Sequence, residues 1–254
     1  MTEAGRERDL ASRFLDSYNR LDQYMRKRLD VGLGVRHVKL IKSLAQVDPV
    51  FQNRQTELEE LAHLRNAIVH NPLEPIAEPH EDVVRRYEQL VSQVLQPVLA
   101  KECAVPAERI FTATWSDSVV GVVAEMNRCV YTHVPILEEG RVIGVFSENT
   151  TFCALGAMKA VSVTEDTTIS EFREFVPIRK HVSECFEFTT SDATLESVAQ
   201  MFADRLKLQQ RLGAVFLTDD GAEAGRLLGL VTVWDIAGTK VAIGKLAPPN
   251  PGST

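Results

Sequence analysis

Two stretches of the C-terminal half repeat one pattern, and that repeat limits the folds open to the chain more than any other feature. Thr132 to Phe152 (THVPILEEGRVIGVFSENTTF) and Gly213 to Ile236 (GAVFLTDDGAEAGRLLGLVTVWDI) share an order: a short apolar strand, an acidic or Gly-rich turn, and a second apolar strand opening with Gly. Each is preceded by a Ser-Asp step and an amphipathic helix pattern, Ser116-Asp117 before VVGVVAEM and Ser191-Asp192 before TLESVAQMF. A spacing of roughly 75 to 85 residues is too long for a solenoid repeat. It suits two small α+β modules packed face to face.

The first hundred residues have a different texture. Leu10, Phe14, Leu21 and Leu29 follow one helical face, with Asp9 placed for a first turn. The Gly-containing VGLGV ends that segment, and a second helix is expected from about Val35 into SLAQ, before the extended or turn dipeptide Asp48-Pro49. A third begins at Thr56, where T-E-L-E reads as a capping box, and carries Leu58, Leu61, Leu64 and Ile68 to a stop at Asn71-Pro72. A fourth shows Val84, Tyr87, Val91, Val94 and Val98, with Pro97 bending or closing its last turn. The expected organisation is a helical domain over residues 1–100 and an α+β repeat pair over 101–245, with copies at about 105–160 and 161–242. A Pro/Gly/Ser tail, 246–254, is expected to be flexible.

Composition excludes several classes. No apolar run reaches the eighteen residues a membrane helix needs, and MTEAGRERDL is not followed by an apolar stretch, so a cytoplasmic chain without anchor or signal peptide is expected. Cys103, Cys129, Cys153 and Cys185 form no CxxC pair and read as ordinary buried thiols. The net charge is −7, and residues 1–100 carry 14 Lys and Arg against 15 Asp and Glu. Neither half is a broad basic surface, so DNA is not expected and any RNA contact must be local. No clustered His, Asp, Glu and Cys ligands suggest a metal.

In the second copy Gly229, Leu230, Val231, Thr232, Val233, Trp234 and Asp235 fit Gly-hydrophobic-hydrophobic-Thr-x-x-Asp in full. The repeat resembles the paired CBS (Bateman-type) domain over about Pro106 to Ala242. The first copy keeps Gly144, Val145, Phe146 and Ser147, but Thr150 stands at the aspartate's place and Asn149 one step early. The resemblance implies a regulatory adenine nucleotide (AMP, ADP or ATP), with Thr232 beside its phosphate or ribose and Asp235 accepting from ribose hydroxyls. Gly229, Ser147 and Asn149 belong to the same implied ligand set, with one complete site and one degenerate site. Independently, a carboxylate three residues past a strand-ending threonine lies near a helix N-terminus, where free backbone N–H groups attract anions. A plain helix cap at Asp235 is the other reading.

LRNAIVHN holds Arg65, Asn66 and His70. On a straight helix the arginine and histidine lie about 140° apart, so the proline-induced helix end or a two-fold dimer must bring them together. The stretch resembles the Arg-polar-xxx-His signature of HEPN domains, over about Arg8 to Leu99. That resemblance implies a dimerising four-helix bundle and metal-independent cleavage of single-stranded RNA. Arg65 would neutralise the scissile phosphate, Asn66 would orient, and His70 would exchange a proton with the 2′-hydroxyl or leaving oxygen. Against it stands a structural reading in which Arg65 pairs with Glu59, Glu60 or an acidic group across a dimer and His70 caps helix-terminal carbonyls. The expectation is a HEPN-like bundle fused to a CBS pair in a homodimer, with nucleotide gating RNA cleavage. The alternative is a non-catalytic, nucleotide-responsive dimerisation or protein-docking module.

Overall fold

The computed structural model describes residues 3–69, 79–157 and 163–238, with residues 3–9 described as backbone only. His70, Asn71 and Pro72 and the tail 246–254 lie outside the described residues. The chain separates into two compact units at Val98/Leu99.

The first unit is helical: α1 (Glu3–Leu29), α2 (His37–Ala45), the single turn α3 (Pro49–Gln52), α4 (Gln55–Val69) and α5 (Glu81–Leu95). Helix α1 packs against α5, α2 and α4, and its Phe14, Leu21 and Met25 are fully buried beside Leu58, Val84, Tyr87 and Val91. The apolar spacing read from the sequence therefore marks the faces that pack. The ends differ from expectation. Helix α1 starts at Glu3, so Asp9 is inside it, and α5 stops at Leu95, before Pro97 and Val98. The TELE capping box does not form. Asp48 instead caps α3 by accepting from the Val50 N–H at 2.8 Å, with Pro49 in the first helical position. The chain then runs through Asn53-Arg54 into α4, where the Leu58 N–H already bonds the Arg54 carbonyl, leaving Thr56 within the first turn.

The second unit carries two β-sheets that exchange strands. Strand β1 (Val105–Pro106) opens the first repeat, and α6 (Val119–Cys129), β2 (His133–Glu138), β3 (Arg141–Ser147) and α7 (Glu148–Ala157) complete it. The second repeat contains β4 (Glu184–Thr190), α8 (Leu195–Lys207), β5 (Arg211–Thr218), β6 (Leu227–Val231) and the short α9 (Val233–Ala237). The four-stranded sheet runs β1-β6-β5-β4, antiparallel except for the parallel β5/β4 pair. The β2/β3 hairpin is extended in the same order by single bridges, Gly144 to Pro177 and Ala113 to Ile136. Each repeat thus lends an edge segment to the other: Val105-Pro106 pairs with Leu230-Gly229, and Pro177 pairs with Gly144. The four cysteines are unpaired and half-buried, less enclosed than the buried thiols expected from the sequence.

This exchange explains the glycine in each copy. A Cβ on Gly144 would come within 2.6 Å of the Val176 carbonyl oxygen and Cγ1, and one on Gly229 would lie 3.0 Å from the Val105 carbonyl. Both glycines let a lent segment approach the sheet closely. Helices α6 and α8 are capped by Ser118 and Thr194, each accepting from the N–H three residues on. Gly144→Ala should destabilise the second unit by about 1–3 kcal/mol through overpacking against backbone that has no slack. Gly229→Ala, with 0.4 Å more room, should cost less; denaturant unfolding of both variants measures the order.

Candidate functional site

Thr232 ends β6 and enters α9. Its backbone N–H and hydroxyl both donate to Asp235 Oδ2, each at 2.7 Å, so threonine and aspartate close a capping box. Helix α9 begins at Val233, which places Asp235 in its first turn. Oδ1 of Asp235 has no partner among the described residues. The turn opens on a cavity of about 590 Å³. Both repeats line it, with Val105, Arg109, Ile110, Tyr131 and His133 from the first and Ala214, Leu230, Thr232, Trp234 and Asp235 from the second. Trp234 is 81% exposed, and Arg109 is an exposed guanidinium without a carboxylate partner among the described residues. Apolar walls, an indole, a cation and a free carboxylate oxygen form a mixed lining suited to a polar aromatic ligand of this size. Gly229 sits one strand position from this lining, against Val105.

The first copy has the same local turn with different partners. Ser147 is 1% exposed; its N–H donates to Thr150 Oγ1 at 3.0 Å, and the Thr150 N–H reaches Ser147 Oγ at 3.3 Å. The Ser147 hydroxyl donates to Glu184 Oε1, and Asn149 Nδ2 donates to Glu184 Oε2 at 3.1 Å. His133 Nε2 lies 2.9 Å from Oε2, and His181 Nδ1 lies 3.1 Å from Oε1. Burial pushes the Glu184 carboxyl toward neutrality, but donors from His133, His181 and Ser147 outweigh it and hold the group well below the usual carboxylate range. His181 Nε2 faces the Val176 carbonyl, an acceptor only, at 3.1 Å. The Glu184 carboxylate and the Val176 carbonyl thus set an oxygen against each ring nitrogen and fix the orientation of the His181 ring. Gly213 makes room for the His133 ring, since a Cβ there would approach His133 Nε2 to 2.8 Å.

In the helical unit, α4 positions Arg65, half-buried, and Asn66, exposed. The Arg65 guanidinium lies 5.1 Å from the Tyr18 ring centroid, and neither Glu59 nor Glu60 is paired with it. Glu59 accepts from Gln55 and lies near Lys42. Arg65 Nε is buried without a hydrogen-bond partner among the described residues. Tyr18 stacks on the His37 ring at 4.0 Å, and His37 Nδ1 is 2.8 Å from Asp22 Oδ1. Arg26 binds Asp22 through Nε at 2.6 Å and reaches the Val35 carbonyl at 2.8 Å. Burial lowers the His37 pKa below the 6.5 of a free imidazole. Burial raises Asp22, but hydrogen bonds from Arg26 and His37 outweigh it and leave its pKa lowered.

Sequence reasoning missed Glu184, His181, His133 and the Asp22–His37 pair. Glu184 lies 37 residues from Ser147 and 51 from His133, and no periodicity joins them. His37, beside Arg36, has no interpretation from the sequence alone; its one signal is its place on the apolar face of α2 with Leu40, Ile41 and Leu44. Among the described residues no cluster of three or more His, Cys, Asp and Glu is placed to hold a metal, and no helix is long and apolar enough to cross a membrane.

No protein-family model and no curated protein sequence matches the chain. Similar solved structures exist. The CBS domain pair of protein MJ0100 in complex with 5′-methylthioadenosine and S-adenosyl-L-methionine is 21% identical, with 59% of this chain and 98% of that one covered and a TM-score of 0.40. Protein MJ1225 from Methanocaldococcus jannaschii is 17% identical over 58% of this chain and 51% of that one, with a TM-score of 0.41. CBSX2 in complex with AMP is 16% identical over 58% of this chain and 98% of that one, with a TM-score of 0.40.

Two pH dependences follow from these groups. A histidine whose folded pKa is depressed contributes stability that is complete above 6.5 and is lost as pH falls below it, and Asp22 adds a loss in the same direction below 3.8. Hydrogen-exchange protection factors in residues 10–45 should therefore fall as pH drops below 6.5, and His37→Gln should flatten that dependence. The Glu184 carboxylate contributes stability present above pH 4.5 and lost as pH falls below it. Glu184→Gln sets an amide donor among donors and should cost the second unit about 3–5 kcal/mol at neutral pH, read by denaturant unfolding.

Proposed function

We propose that the second unit is a CBS pair that binds an adenine nucleotide in the cavity beside Thr232 and Asp235, and that the helical unit is a HEPN-like domain whose response to that nucleotide is the output. The observation that carries the nucleotide reading is the Asp235 carboxylate. One oxygen holds the turn through Thr232 and the other has no partner among the described residues. A carboxylate oxygen fixed in this way accepts two neighbouring ribose hydroxyls. Trp234 and Ile110 offer a flat apolar bed for a purine, and Arg109 supplies the charge that a phosphate needs.

For the output, the first reading is an endoribonuclease. Arg65 carries a guanidinium that no described carboxylate neutralises, which leaves its charge for a phosphate. In this reading His70 would exchange a proton with RNA's own 2′-hydroxyl while Asn66, exposed on α4, orients the chain, giving a 2′,3′-cyclic phosphate and a 5′-hydroxyl. The second reading is a non-catalytic module in which nucleotide controls dimerisation or docking. It is favoured by the packing of Arg65 over Tyr18, a structural use of the same guanidinium. Either output requires the nucleotide to bind two arrangements of the chain with different affinity.

Asp235→Ala should weaken AMP or ATP binding by about 1.5–3 kcal/mol, measured by calorimetry. Unchanged affinity would place the ligand elsewhere. Cleavage of labelled single-stranded RNA in EDTA should occur with the wild type and disappear in Arg65→Ala and His70→Ala. Activity that survives both substitutions belongs to a contaminant, and its absence in the wild type, together with a nucleotide-dependent shift in sedimentation, selects the docking reading.

A further inference from the structure

The strand register makes the two capped turns superimposable in role. Gly144 stands opposite Ile136 in the hairpin as Gly229 stands opposite Leu217 in the larger sheet. Counting from these pairs, Ser147 corresponds to Thr232, Asn149 to Trp234 and His133 to Ala214. The lent segments correspond as well: Pro106 on Gly229 leads four residues on to Ile110, and Pro177 on Gly144 leads four residues on to His181. Three positions that are apolar in the open cavity, Ile110, Ala214 and Trp234, are therefore His181, His133 and Asn149 at the first copy. All three replacements converge on one carboxylate, that of Glu184, together with the Ser147 hydroxyl.

From this we infer that Glu184 is a tethered anion seated in the first-copy counterpart of the ligand cavity: the chain takes one nucleotide, and the second pocket accepts a small free carboxylate once the Glu184 side chain is removed. The side chain is 1% exposed and meets two imidazoles, an amide and a hydroxyl, a set that would equally receive a free carboxylate ion. The donors are held by the rest of the fold rather than by Glu184 alone. His181 is fixed through the Val176 carbonyl and His133 through the Thr132 hydroxyl at 2.8 Å, while Ser147 and Thr150 form their own turn. Deleting the carboxylate leaves a polar cavity with oriented donors, which a carboxylate ion refills. The count of one nucleotide rests on the reading of the open cavity given above; the self-occupied pocket does not.

The test has two arms. Calorimetric titration of the wild type with AMP should give one site per chain, and two would overturn the inference. Wild type that binds no AMP removes the nucleotide reading and leaves the second arm to decide. In that arm the unfolding temperature of Glu184→Ala is followed in sodium acetate and in sodium chloride of matched ionic strength. A saturable rise in acetate, absent in chloride and absent in the wild type, is expected; no rise overturns the proposal. If the variant does not fold in chloride, recovery of folded protein on refolding in acetate supports the inference. Failure in both salts, for Glu184→Ala and Glu184→Ser alike, sinks it.

Discussion

Backbone exchanged between the two repeats is the constraint on which the second unit depends. Val105-Pro106 completes the sheet of the later repeat and Pro177 that of the earlier one, and each lies against a glycine because no side chain fits beneath it. Neither repeat can close its sheet alone. The same crossing carries Arg109 and Ile110 to the turn at Thr232, and His181 to the turn at Ser147. Both pockets are therefore composite, built from segments far apart in sequence, and their chemistry follows from what each lent segment brings.

That crossing also sets what was legible in the sequence. The strand-turn-strand repeat, the glycines and the Thr232/Asp235 turn follow from local patterning, because they are short-range features of strands and helix starts. Asp235 closes the cap through Oδ2 and also lines the cavity, so the cap does not use the whole carboxylate. Glu184 was illegible for the opposite reason. It opens a run, ECFEF, that looks like an ordinary alternating strand, and its partners come from three other elements, β2, β3 and α7, and a connecting loop. In the helical unit the apolar stripes were readable, whereas the start of α4 was not: the helix begins at Gln55 and takes Thr56 inside its first turn.

The helical unit is tied by a different device. Arg65, Tyr18, His37, Asp22 and Arg26 form a continuous column of ring stacking, cation–π contact and ion pairing across α4, α1 and α2. Each member lowers the cost of burying the next: the carboxylate orients the imidazole, the imidazole supports the phenol ring, and the ring faces the guanidinium. The column holds the one described charge of the LRNAIVH motif in a fixed place without neutralising it.

The chain has two tryptophans, and they stand in unlike surroundings. Trp115 packs on the core of the first repeat with the Arg173 guanidinium 4.8 Å from its ring, whereas Trp234 stands in solvent at the rim of the cavity. Indole emission shifts to shorter wavelength when water leaves the ring. The protein thus carries its own optical label: light from Trp115 supplies a steady baseline, and colour and intensity from Trp234 report whether the rim is wet or covered.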